Sequence, residues 1–174
     1  MPPDASPAGP WEGRAGGHHD HHADPVGRTP PEAREQLLEH SRPVRFEADT
    51  RIFRERQRAD RFWIVRTGRV ELDTHVPGRR DAVVDTLAGG ALLGCSWIVP
   101  PHIWHLGATA VTEVRALEFD ARAVREFCAR DPSVGEAVFA CVAATMARRL
   151  LAVRSRLLED LAPHAGAEAL AYAR

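Results

Sequence analysis

Apolar and polar residues alternate most regularly over residues 69–76, where Val70, Leu72, Thr74 and Val76 interleave with Arg69, Glu71, Asp73 and His75. That is the period of a strand with one buried face. Arg61 to Arg66 precedes it across Thr67-Gly68, so the two runs read as a β-hairpin. Pro77-Gly78-Arg79-Arg80 reads as a second turn, Ala82 to Leu87 as the next strand, and Thr109 to Val111 and Val114 to Phe119 as two more. This texture, running from Val44 to Phe119, predicts a mainly β unit with the many short strands of a jelly-roll-like β-barrel or sandwich.

Helical periods flank it. Thr29 is a candidate N-cap ahead of Pro30, Pro31 and Glu32, with Ala33 to His40 helical. Asp120 caps a helix over Ala121 to Ala129, with Val124, Phe127 and Cys128 on one face. Asp131-Pro132-Ser133 then starts a long helix through Ala162, because Asp is a good cap and Pro suits the first helical position. Along it Val138, Val142, Met146, Leu150, Val153, Leu157 and Leu161 recur at spacings of three and four, while Arg148, Arg149, Arg154, Arg156, Glu159 and Asp160 lie largely off that stripe. A seam of this length predicts a homodimer held through Met146, Leu150, Val153 and Leu157. The expected organisation is a disordered tail over residues 1–30, one domain with its dimerisation helix over 31–163, and a short tail over 164–174.

Composition narrows the function. Net charge is −1, so no global field draws the chain to nucleic acid or to a membrane surface. All 23 basic residues are arginine. Three cysteines (Cys95, Cys128, Cys141), none in a C-x-x-C pair, point to a reducing cytoplasm and away from a disulfide framework. No apolar run approaches the length of a membrane span, and residues 1–30 hold no signal-like apolar core. They do hold His18, His19, His21 and His22 around Asp20, imidazoles able to capture a metal ion opportunistically in an otherwise polar arm. No nucleophile elbow, Walker loop or zinc-protease motif occurs, so no catalysis and no cofactor are expected.

The candidate chemistry lies in Leu87 to Val111, LAGGALLGCSWIVPPHIWHLGATAV. A Gly-Gly turn, a short helical segment opening at Ala91 and a β-like exit form the layout of an anion pocket at a helix N-terminus. Yet from Asp81 to Val114 there is no Arg or Lys. The pocket keeps its outline without a cation.

Two stretches carry a resemblance. Ile52-Phe53-Arg54-Glu55 with Asp60 to Val70, and Leu87 to Gly94 with Ala108-Thr109 at the exit, resemble the cyclic nucleotide-binding domain of the Crp/Fnr type over residues 32–162. The resemblance implies ligand contacts from a phosphate-binding cassette at Gly90, Leu92, Leu93, Gly94, Cys95, Ser96, His105, Leu106, Ala108 and Thr109. It also locates the departures. Cys95 stands where the family's cyclic nucleotide binders place a Glu for the ribose 2′-OH, and Leu106 (or His105, if the loop slips by one) where they place an Arg for the phosphate. Arg56 stands where the family has a glycine, which implies a different turn there. The lengthened segment between carries Trp97, Pro100, Pro101, His102 and Trp104, aromatics expected to fill or cover the vacated space.

The reading that results is a non-catalytic regulatory module that does not bind cAMP in the usual way and acts through a protein partner. One alternative is a Crp/Fnr-type transcription regulator without its DNA-reading helix-turn-helix, so that this chain alone binds no DNA. The other is a haem, metal or redox sensor. That reading uses His102 or His105, at the i,i+3 spacing of one helical face, or Cys95, a thiol whose pKa falls at a helix N-terminus.

Overall fold

The computed structural model describes residues 31–171. The His-rich stretch at 18–22 lies outside them. The first helix, α1, spans Pro31–Glu39, and eight strands follow in two antiparallel sheets. One sheet has the order β1 (Ser41–Phe46), β8 (Val114–Asp120), β3 (Arg61–Thr67), β6 (Leu92–Leu93). The other has the order β2 (Arg51–Phe53), β7 (Gly107–Ala110), β4 (Val70–Thr74), β5 (Ala82–Leu87). This is the jelly-roll-like fold expected, as an open sandwich rather than a closed barrel. Pro43 sits in β1, an edge strand, where its missing N–H interrupts no central ladder.

The hairpin read across Thr67-Gly68 does not form. β3 pairs with β6 and β8, β4 pairs with β5 and β7, and the chain crosses from one sheet to the other at Gly68. Gly68 has φ +93°, and a Cβ there would meet the Glu113 carbonyl at 2.2 Å, so the corner needs both the left-handed backbone and the missing side chain. The apolar run of β3 is explained by cover on both faces. Phe62 stacks on Trp97 and Phe119 at 4.5 and 4.8 Å, while Trp63 stacks on Phe53 at 5.6 Å on the opposite side. The hairpin of β4 and β5 across Pro77-Gly78 forms as expected.

The strict alternation in β4 also breaks. Asp73 is buried at 6 % exposure, next to a register shift between Leu72 and Asp73. It pairs with both terminal nitrogens of Arg51, whose Nη2 lies 2.7 Å from Oδ1, and Arg51 Nη1 also donates to the Thr109 hydroxyl at 2.9 Å. A buried carboxylate is tolerable when paired in this way.

Asp120 caps α2 (Ala121–Arg130) by accepting from the Ala123 N–H at 2.8 Å. Asp131 accepts from the Ser133 and Val134 N–H groups at 3.0 and 3.3 Å at the start of α3 (Pro132–Ala171). The long helix does not stop at Ala162 but carries its backbone past Pro163 to Ala171. The stripe on α3 divides. Val134, Val138, Cys141 and Val142 are buried in the domain core, whereas Leu150 is 70 % exposed and Leu151, Leu157 and Leu158 are exposed beside it.

Candidate functional site

The Gly89-Gly90 turn returns the chain along β3. Gly90 N–H donates to the Val65 carbonyl at 2.8 Å, Val65 N–H donates to the Ala91 carbonyl at 3.0 Å, and Ala91 N–H donates to Ala88 at 3.1 Å. Leu92 and Leu93 then lie opposite Ile64 and Trp63 as strand β6. The expected helix opening at Ala91 is thus replaced by an edge strand, because two leucines facing a fully buried run gain more from sheet pairing. Only a 3₁₀ turn, Ser96–Ile98, follows, with Cys95 at its cap position. The N–H groups of Gly90 and Ala91 are taken up by Val65 and Ala88 and offer nothing to an anion.

Five of the expected contact residues line one cavity of about 320 Å³: Gly94, Cys95, Ser96, His105 and Leu106. Gly90, Leu92, Leu93, Ala108 and Thr109 do not line it; Ala108 is buried in the sandwich, and the Thr109 hydroxyl is held by Arg51. The cavity is completed by Phe53, Leu72, Val99 and Trp104, and by Met146 from α3. Gly94 has φ +84°, and a Cβ there would sit 2.7 Å from the Trp104 ring. Trp104 stacks on Phe53 at 4.0 Å and reaches Trp63 at 6.0 Å.

The lengthened loop is an ordered ladder. Trp104 N–H donates to the Gln57 carbonyl and the Trp104 carbonyl accepts from Arg56 N–H, both at 2.8 Å. Its two tryptophans part company: Trp104 walls the cavity, and Trp97 stacks on Phe62 in the core toward α2 and α3. Arg56 keeps a left-handed backbone at φ +68°, so the turn retains the geometry for which glycine is suited despite the residue change.

The cation missing from the cassette arrives from α3. Arg149 Nη1 donates to the Cys95 thiol at 3.3 Å, Nη2 donates to the Leu92 carbonyl at 2.5 Å, and Nε lies 3.5 Å from Asp85 on β5. One side chain thereby ties the edge strands of both sheets to the long helix. Nothing in the local sequence announces this, since Arg149 lies 54 residues from Cys95.

Cys95, His102 and His105 sit in surroundings other than those expected. Burial pushes the Cys95 thiol above its ordinary pKa, and the charge and hydrogen bond of Arg149 offset only part of that. A readily ionised redox thiol at a helix N-terminus is not what forms. His102 and His105 share no helical face: His102 has φ +56° and its carbonyl accepts from Ala59 N–H at 2.8 Å, while His105 Nδ1 lies 3.1 Å from the Ser96 hydroxyl. Among the described residues, no group of three or more His, Cys, Asp or Glu is placed to hold a metal ion. No described helix is long and apolar enough to cross a membrane.

Several known proteins are similar to this chain in sequence or in fold. The chain is 28% identical over 129 residues to a CRP-like cAMP-activated global transcriptional regulator of Mycobacterium tuberculosis, and spans 56% of that protein's length. Its fold is similar to that of the Thermus thermophilus catabolite activator protein (TM-score 0.62, 22% identity, 80% of this chain and 63% of that one). A cyclic nucleotide-binding domain from Methylobacillus flagellatus KT is similar too (TM-score 0.68, 16% identity, 74% and 72%). Residues 43–131 match the cyclic nucleotide-binding domain family, and the chain belongs to it.

Proposed function

We propose that this chain is a non-catalytic regulatory module, working in the cytoplasm, whose cassette does not hold a cyclic nucleotide in the family's usual way. It acts as a homodimer on a protein partner. The observation that carries this reading is the pair Cys95 and Leu106. Both line the cavity, at the positions where the resemblance implies a ribose-binding carboxylate and a phosphate-binding guanidinium. Arg149 does not substitute, because its nitrogens already serve Leu92, Cys95 and Asp85.

A hydrogen bond to a charged group contributes roughly 1.5–3 kcal/mol, so two such losses lower affinity by about 10²–10⁴-fold. Calorimetry with cAMP and cGMP is expected to show no binding tighter than about 100 μM on that arithmetic. The double change Cys95→Glu/Leu106→Arg is expected to improve it. Micromolar binding by the unmodified chain overturns the reading.

The Mycobacterium tuberculosis relative favours a second reading, control of transcription. With a net charge of −1, these 174 residues alone are expected to give no sequence-specific gel shift. A specific shift by the purified chain establishes the second reading instead.

A further inference from the structure

We infer that the cavity beneath the cassette is a binding site for a compact, uncharged, mostly apolar molecule with a ring system and one polar group. This goes beyond the proposed function and rests on its statement that the cassette no longer holds a cyclic nucleotide in the family's usual way.

Size comes first. The cavity measures about 320 Å³, and apolar cavities of about 150 Å³ already admit a benzene-sized guest. A fused bicyclic molecule therefore fits.

The walls set the chemistry. Phe53 and Trp104 present ring carbon, and Leu72 and Leu106 present aliphatic carbon. Among the described residues, no carboxylate or guanidinium lines the space. Arg149, which reaches the cavity-lining Cys95, is already bound by Leu92, Cys95 and Asp85, so a charged guest is desolvated without a free counter-charge from it. The polar atoms available are the Ser96 hydroxyl and His105 Nδ1, 3.1 Å apart. A serine hydroxyl rotates to donate or accept, so this pair accommodates one polar group on the guest. Entry is through Val99 and Met146, which line the cavity yet are each 46 % exposed.

Indole serves as the probe, because it matches the volume, is uncharged and carries a single N–H donor. Titration of the full chain, followed by calorimetry, is expected to show one site per chain with a Kd between about 10 μM and 1 mM, the range that ligand efficiency allows for so small a molecule. Leu106→Trp fills the cavity from its wall and Val99→Trp blocks its half-exposed mouth. Each is expected to weaken indole at least about tenfold, the loss of the cavity contacts. Val99 is a surface position, so its variant tests the site even if the first variant folds poorly.

Leu151→Ser/Leu158→Ser removes exposed leucines of α3 and is expected to leave indole binding unchanged. Absence of saturable binding up to about 5 mM, beyond the weakest Kd expected, overturns the inference. So does binding that ignores both tryptophan variants or that follows the α3 leucines. A parallel cAMP titration separates the two proposals: micromolar cAMP binding ends the reading above, and absence of indole binding ends this one.

Discussion

Arg149 Nη1 donates to the Cys95 Sγ across 3.3 Å, joining the long helix to the loop that follows the last cassette glycine. The same guanidinium holds the Leu92 carbonyl and faces Asp85, so it closes the gap between β6, at the edge of one sheet, and β5, at the edge of the other. The cassette is therefore braced from α3 rather than by charge of its own.

Replacing that brace exposes what it does. Arg149→Leu removes the guanidinium from the Leu92 carbonyl and leaves Asp85, which keeps only its bond from the Thr86 N–H, without a counter-charge, with a loss of about 1–3 kcal/mol expected. Thermal unfolding should show the drop. Hydrogen exchange should speed up at both β6 and the middle of α3, two segments far apart in sequence. Faster exchange confined to α3 contradicts the bracing role.

Glu118 governs acid stability. Burial opposes its ionisation, but hydrogen bonds from Arg42, Trp63 and Arg61 overcome that, and its pKa falls below the ordinary 4.5. A depressed carboxylate adds stability above its unfolded value, and that stability is lost as pH drops through the folded one. Glu118→Gln should then lower stability at pH 7 by about 1–2 kcal/mol and flatten the fall in Tm below pH 4.5. Parallel Tm–pH curves for variant and wild type contradict the assignment.

Elements with a local cause were legible in the sequence. Asp120 and Asp131 cap the helices that follow them, and Pro77-Gly78 turns β4 into β5. What failed was decided at long range. Arg61 to Val76 reads as a hairpin because both halves are strands, but the partner of each lies elsewhere in the chain. Asp73 reads as a solvent-facing residue by period, and is buried because Arg51 meets it from another strand. Arg149 reads as one of several exposed arginines. Only α3's packing over β5 and β6 gives it a role.

Arg56 tests backbone strain directly. It holds φ +68° while its N–H bonds the Trp104 carbonyl, a conformation that burdens any residue with a Cβ by about 1–2 kcal/mol. Arg56→Gly relieves this, less the greater freedom glycine gains in the unfolded chain. A modest rise in Tm is expected, with indole binding retained because the ladder to Trp104 is kept. A fall in Tm means that the Arg56 side chain contributes more than its backbone loses.

The last prediction concerns assembly. Met146, Leu150, Val153 and Leu157 are spaced four, three and four apart, the a and d places of a heptad. Upstream, Val138 and Val142 on the same helix are buried by the domain itself, so the domain's own core ends before Leu150. Leu150 and Leu157 remain 70 % and 58 % exposed, with Leu151 and Leu158 widening the patch. Apolar surface of that extent on one helix is characteristic of a helix–helix interface. A second copy laid along α3 covers it with the same residues, as two-fold symmetry requires. Sedimentation should show a dimer for wild type and a monomer for Leu150→Asp/Leu157→Asp, with the domain's Tm otherwise little changed because both side chains face solvent in the single chain. A wild type that sediments as a monomer at micromolar concentration removes the homodimer from the proposed function.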